Sequence, residues 1–387
     1  MPSETSPRFE LISNVDALHR VVERWLGEPV LALDTEFVRE RTFYPRLGLI
    51  QVADSRGTVL LDPIAIRDLA VFERVLLAPQ TLKVFHSAGQ DLEVLYRLFR
   101  RFPEPLFDTQ EAAALASIGP NLGYGRLVLE LLGVELAKGE TRTDWTARPL
   151  SSAQLDYAAE DVTYLLPLYE RLHSELGRLG RVEWALADSA ALSDPRRFEE
   201  EPEQAFRRIK GAGKLDPRRL AIVHRLAAWR EREARRRDVP RNMVLREELL
   251  LLIAIKRPAT VEDLKKLPGC SVALAAREGE TWLGMLREVA ELPNAELPAA
   301  ADRWRRSPAL DALEDRLRQT VRDRAAELGL APEVLASRKH LSAVLQSAVS
   351  DPEVRLPHSL LGWRKESIGD ELVRVAAEAK AAGLGAA

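Results

Sequence analysis

Asp34 and Glu36 stand two residues apart in an apolar run, Leu31-Ala32-Leu33-Asp34-Thr35-Glu36-Phe37, bounded by Pro29 and by Arg39-Glu40-Arg41. The run reads as a buried strand, and strand side chains alternate between faces, so the two carboxylates share one patch. Buried neighbouring acids make each other harder to ionise, and a cation belongs beside them. Asp91 falls in the first turn of an expected helix, and Tyr157 and Asp161 lie on one face of another. Four carboxylates without a matched set of histidines or cysteines are the donor chemistry of a hard divalent cation, Mg²⁺ or Mn²⁺. Two such ions about 3.5 to 4 Å apart activate a water and stabilise the leaving oxygen of a phosphodiester, and Tyr157 is a candidate for orienting that water.

The elements that must position these residues are legible as periodicity. Phe9 to Ile12 reads as a strand, and Val15, Leu18, Val22 and Trp25 form the stripe of a following helix. Leu47 to Ala53 and Gly57 to Pro63 read as strands joined by a turn at Asp54 to Gly57, which predicts an antiparallel meander opening a mixed sheet. Strand and helix then alternate: a helix over Leu69 to Leu77, a strand over Leu82 to Phe85, and a helix opened by a Ser87 to Gln90 capping box. Asp108 reads as the N-cap of the next helix, and His86 as a hydrogen-bonding residue at a strand end. Ser151 and Gln154 make a capping box for the helix that carries Tyr157 and Asp161.

Beyond about residue 190 the strand signal stops. Ser193 to Pro195 and the acidic run Glu199 to Glu203 read as a linker, and Asp216-Pro217 as the start of an all-α segment. After a second linker, Leu292 to Ala301, a similar order of helices begins near Pro308, with Gly329 as a C-terminal cap. The expected division is an α/β domain over residues 1–195 and two small helical domains over 205–288 and 305–380.

Composition bounds the function. The chain has 387 residues, 46% hydrophobic and 30% charged, which suits a soluble multidomain protein. The single cysteine, Cys270, rules out an internal disulfide framework, and its expected role is structural. Met1 to Pro7 lacks a basic and apolar leader pattern and no window is long enough to span a membrane, so the expectation is cytoplasmic. Neither GxGxxG nor GxxxxGK[ST] occurs, which argues against a nucleotide cofactor.

Leu33-Asp34-Thr35-Glu36-Phe37 with Leu49-Ile50-Gln51, then His86 to Leu92, then Tyr157-Ala158-Ala159-Glu160-Asp161, resemble the three exonuclease motifs of the DEDD superfamily. The Tyr-x-x-x-Asp spacing is that of its DEDDy branch. Thr143-Asp144-Trp145 and Arg148-Pro149-Leu150 make the chain similar to the ribonuclease D family. The helical segments resemble the HRDC modules shared with RecQ-type helicases. The resemblance implies a ribonuclease H-like α/β exonuclease domain with a mixed sheet flanked by helices, followed by two HRDC-like domains. It further implies a 3′–5′ exoribonuclease that releases 5′-monophosphates, with tRNA precursors as substrate. By the same resemblance Asp34, Glu36, Asp91 and Asp161 hold two metal ions and Tyr157 positions the water.

RNA contacts are expected from Phe37, Phe43 and Tyr44 past the first acidic strand, from Arg142 and Trp145 in the loop before the third motif, and from Arg207, Arg208 and Lys210. Basic residues from Arg218 to Arg241 extend that last patch, or form a charge-laced solvated helix. A monomer is expected. The alternatives are a 3′–5′ exonuclease on DNA and a non-catalytic RNA-binding protein; a RecQ-type helicase is excluded by the missing P-loop.

Overall fold

The computed structural model describes residues 9–136, 143–298 and 307–383. By packing, the chain forms two units. The first takes in residues 1–38, 47–194 and 306–387, and the second residues 39–46 and 195–305.

In the first unit six strands form one sheet. They are β1 (Phe9–Ile12), β2 (Val30–Val38), β3 (Arg46–Asp54), β4 (Gly57–Leu61), β5 (Leu82–Phe85) and β6 (Leu106–Asp108), in the spatial order β1-β4-β3-β2-β5-β6. The β3–β4 pair is antiparallel across the tight turn at Asp54 to Gly57, whereas β1–β4, β2–β5 and β5–β6 are parallel. The sheet is therefore mixed. Its core is built from Leu31, Leu33, Leu49, Leu60, Val84, Phe85 and Phe107, all shielded from solvent. Helices Val15–Trp25, Gly89–Phe99, Ser152–Thr163 and Leu165–Leu179 supply amphipathic or apolar faces to it.

One expected local feature is absent. Ser87 makes no capping bond to the helix it precedes; the N-cap is Ala88, and Ser87 sits at φ 58°. The N–H groups of Ser87 and Ala88 donate instead to the Asp108 carboxylate, at 3.0 and 2.8 Å. That same carboxylate caps its own helix by accepting from Gln110 at 2.8 Å. A buried carboxylate from the neighbouring strand thus outcompetes a local serine, because it satisfies donors of two helix starts at once.

The C-terminal helices pack in this first unit, Pro308–Leu328, Arg338–Ser350 and Asp370–Ala381. Trp363 stacks on Trp184 with ring centroids 4.4 Å apart, and Arg364 and the Trp363 indole both donate to Asp188. Arg181 donates to the carbonyls of Leu115 and Leu328.

The second unit is helical: Pro217–Arg237, Arg241–Val244, Glu247–Lys256, Val261–Lys265 and Val272–Glu291. The stretch read as an acidic linker, Ser193 to Glu203, is half-buried to exposed, and the helical core begins just after it. Ala205, Ile209 and Ala212 are buried, and Glu200 and Glu203 pair with Arg208 and Arg232. These two ion pairs join the acidic run to arginines of the helical unit while leaving the side chains largely in solvent. Cys270 is buried in the same core. Among the described residues no helix is long and apolar enough to cross a membrane.

Candidate active site

β2 presents Asp34 and Glu36, and the helix Ser152–Thr163 brings Asp161 against them. One carboxylate oxygen from each of the three lies within 4.8 Å of the others. The fourth acid is tied to the residue between the first two. β5 pairs with β2 only over Val30 to Ala32, so the Thr35 N–H lies beyond that ladder. It donates to Asp91 Oδ1 at 3.1 Å, and the Thr35 hydroxyl donates to the same oxygen at 2.6 Å. Thr35 therefore fixes where the Asp91 carboxylate sits relative to Asp34 and Glu36. The site lies beyond the end of the parallel strand β5, alongside the part of β2 that continues past it.

The helix that delivers Asp161 is secured at both ends. Its start carries the expected capping box of Ser151 and Gln154. Near its end the Tyr124 hydroxyl donates to the Glu160 carbonyl at 3.0 Å and accepts from the Tyr164 N–H at 3.2 Å. The preceding loop is clamped by Arg148. Its guanidinium makes two 2.7 Å bonds to Asp62, one to the Gly48 carbonyl at 2.6 Å and one to the Trp145 carbonyl at 2.9 Å. Trp145 passes so close to Gly48 that a Cβ there would stand 2.5 Å from the Trp145 carbonyl oxygen. The buried Trp145 ring lies 6.2 Å from the Tyr157 ring, within a cluster completed by Leu49, Leu60, Ala158 and Ala159.

Burial acts on every acid of the group, and repulsion by its other members on Asp34, Glu36 and Asp161. Burial, then the charges of Asp91, Asp161 and Glu36, push Asp34 well above the usual carboxylate range. Glu36 is pushed up to about 8, first by burial and then by Asp161 and Asp91. Burial raises Asp161 to about 7 against the hydrogen bond from Tyr157, and Asp91 to about 6 against the bonds from Thr35. Tyr157 is raised by burial and by the charges of Asp161 and Glu36, so its phenol keeps its proton and can donate. A crowded set of oxygen donors that hold protons they would lose in water fits a divalent cation, whose charge would replace those protons. His86 is not among the donors: its Nδ1 shares a 2.9 Å hydrogen bond with the Thr109 hydroxyl, and burial lowers its pKa.

The residues expected to touch RNA are dispersed. Phe37 is half-buried on β2 and Trp145 is core. Tyr44 packs edge-on against Phe43 with centroids 4.8 Å apart. Arg208 pairs with Glu200, Arg207 lies 6.0 Å over Phe206, and the Lys210 N–H donates to Glu247. Arg142 lies outside the described residues. The flanking arginines are largely occupied: Arg218 caps the carbonyls of Val289, Ala290 and Leu292, and Arg235, Arg236, Arg237 and Arg241 each pair with a glutamate. For those residues the charge-laced helix is the arrangement found. Sequence reasoning misses Thr35, Tyr124 and the Arg148–Asp62–Gly48 brace as site residues; strand alternation sets Thr35 on the face opposite Asp34 and Glu36 and gives no sign of its reach to Asp91.

Three family models match. A 3′–5′ exonuclease model covers residues 9–177, an HRDC domain model 219–286, and a ribonuclease D C-terminal HRDC model 308–372. The ribonuclease D of Pseudomonas paraeruginosa is 39% identical over 369 residues, covering 95% of this chain and 98% of that one. The chain belongs to the ribonuclease D family. The ribonuclease D of Escherichia coli K12 is 36% identical over 94% of this chain and 97% of its own length. The crystal structure of Escherichia coli RNase D, an exoribonuclease involved in structured RNA processing, matches with a TM-score of 0.88, covering 96% of this chain and 99% of that one. As a family member the chain is a 3′–5′ exoribonuclease, with an α/β exonuclease domain followed by HRDC helices, and RNA is its substrate.

Proposed function

We propose that Asp34, Glu36, Asp91 and Asp161 hold two divalent cations, Mg²⁺ or Mn²⁺, and that Tyr157 orients the water that attacks the terminal phosphodiester. When bound, the cations supply Lewis acidity for the attacking and leaving oxygens. Thr35 keeps the Asp91 carboxylate turned toward the group by its two hydrogen bonds. The Tyr157 hydroxyl, donating to Asp161, is held in one orientation beside the acids. With its proton retained it acts through hydrogen bonding and not as a base.

The products are 5′-monophosphates removed one at a time from the 3′ end, and the substrates are tRNA precursors. The protein acts in the cytoplasm as a monomer and needs no nucleotide cofactor. Residues 1–195 are the catalytic domain, and 205–288 and 305–380 are HRDC-like domains; Phe37, Arg207, Arg208 and Lys210 supply RNA contacts. The observation that carries the reading is the gathering of Asp34, Glu36 and Asp161 within 4.8 Å. Digestion of a 5′-labelled, 3′-extended tRNA with Mg²⁺, Mn²⁺ or EDTA tests it, native chain against Asp34→Asn. Stepwise shortening should need metal and vanish in the variant. Faster removal from DNA of the same sequence would overturn the RNA assignment, and metal-independent shortening the mechanism.

A further inference from the structure

Thr35 holds the Asp91 carboxylate, and the end of β6 holds the backbone from which that carboxylate hangs. β6 runs parallel to β5, with Asp108 opposite Phe85, the last residue of β5. Past Phe85 the chain turns through His86, Ser87 and Ala88 into the helix Gly89–Phe99, whose third residue is Asp91. Asp108 and Thr109 grip four successive residues of this turn. The Thr109 hydroxyl donates to the Phe85 carbonyl at 3.1 Å and shares its 2.9 Å bond with His86 Nδ1. Asp108 Oδ1 accepts from the Ser87 N–H at 3.0 Å, and Oδ2 from the Ala88 N–H at 2.8 Å. Asp108 is 1% exposed, and its own N–H is tied to the Ser189 hydroxyl at 2.9 Å. Capping the helix Thr109–Leu115 uses only Oδ1, and a serine would do as much without burying a charge. The second oxygen serves the turn before Asp91. Ser87, at φ 58°, stands in a left-handed conformation that is costly without glycine and persists where surrounding contacts fix it.

We propose that Asp108 is a positioning residue for Asp91: its two carboxylate oxygens fix the turn Phe85 to Ala88, and with it the start of the helix that presents Asp91 to the site. The inference rests on the reading of Asp91 as a metal ligand given above, and deepens it. Asp91 is then fixed at two points, by Thr35 at its carboxylate and by Asp108 through its backbone. All of these residues lie in the first unit. The two acids are also within electrostatic reach, since the Asp108 charge adds to burial in raising Asp91. Without the grip of Asp108 the Asp91 carboxyl remains present, but the helix turn that carries it loses its fixed place against β2.

Two substitutions separate this role from helix capping. Asp108→Ser keeps a good N-cap for its own helix but is too short to reach the turn. Asp108→Asn keeps Oδ1, with the Ser87 and Gln110 bonds, and loses the Ala88 bond alone. The experiment uses the full chain and Mn²⁺ alone as probe, with binding followed by calorimetry, then hydrolysis of a trinucleotide, and urea unfolding in EDTA alongside. Asp108→Ser is expected to raise the half-saturating Mn²⁺ concentration and to lower kcat, each about tenfold, with KM unchanged. Asp108→Asn should change both in the same direction by less, and it carries the test if the serine variant does not fold. Arg364→Met, which breaks the pair with Asp188 in the same unit, should lower the unfolding midpoint and keep native Mn²⁺ affinity. Native Mn²⁺ affinity and kcat in both Asp108 variants would overturn the proposal, as would a change confined to KM. Equal losses in the two would trace the effect to charge and not to position, and a matching loss in Arg364→Met would trace it to stability; either overturns the proposal. Absence of Mn²⁺ binding by the native chain would overturn the metal reading beneath it, and the role of Asp108 with it.

Discussion

Replacing Glu36 by glutamine should abolish digestion yet stabilise the metal-free protein. In the fold the Glu36 carboxyl titrates at about 8 against an ordinary value of 4.5, first because it is buried and then because Asp161 and Asp91 stand close. A group whose folded pKa is raised contributes its full stability below the unfolded value, and that contribution is lost as pH rises through the folded one. Between 4.5 and about 8 the native metal-free chain should therefore lose stability. At about 1.4 kcal/mol per tenfold change in proton affinity, the displacement corresponds to on the order of 4 to 5 kcal/mol. Because the neighbouring acids readjust their own protonation when one charge is removed, we expect the variant to recover about 3 kcal/mol of it.

The assay is urea unfolding in EDTA at pH 5 and at pH 8.5. The two proteins should be close at the lower pH, and Glu36→Gln more stable at the higher. Saturating Mg²⁺ should reverse that order by stabilising the native chain alone, since a cation bound only by the folded form adds its binding free energy to stability. Equal pH dependence of native and variant in EDTA would refute the claim that repulsion and burial hold these acids in an unfavourable state.

Three further substitutions probe the supports. Arg148→Met leaves the Asp62 carboxylate, which is 8% exposed, without its cation and should cost about 3 kcal/mol in chemical unfolding; adding Asp62→Asn should recover part of that loss. Thr35→Val removes the hydroxyl bond to Asp91 and should lower stability by about 2 kcal/mol along with activity, whereas Thr35→Ser should keep both; an active Val variant would show that Asp91 needs no such hold. Gly48→Ala drives a methyl group to 2.5 Å from the Trp145 carbonyl, so kcat should fall through displacement of the Trp145–Tyr157 contact, at about 1 to 3 kcal/mol in unfolding; a native kcat would mean that the brace does not bear on Tyr157.

The amino-acid sequence by itself determines a good deal here. Acids at alternate positions of a strand must share a face, and Tyr157 and Asp161, four apart, must share a helix face. The Ser151–Gln154 capping box, the Asp216-Pro217 helix start and the Gly329 cap are local chemistry, and each forms as its residue types dictate. What only the tertiary structure decides is which partner wins when several compete for one group. Ser87 loses its capping role to Asp108 because a buried carboxylate from β6 reaches two helix starts. Thr35 turns its hydroxyl to Asp91 because β5 ends before reaching it. The arginines around Pro217–Arg237 look like a phosphate-binding surface until the fold sets glutamates against them, and Phe43 looks like a base-stacking ring until Asp238 and Arg241 enclose it. For Ser87, Thr35 and Phe43 the deciding contact joins residues distant in sequence, whereas the pairs of Arg235, Arg236 and Arg237 with Glu231 and Glu233 are one helical turn apart. Periodicity reports which face a side chain occupies, but the group it meets there is set by the burial and charge of segments packed from elsewhere in the chain.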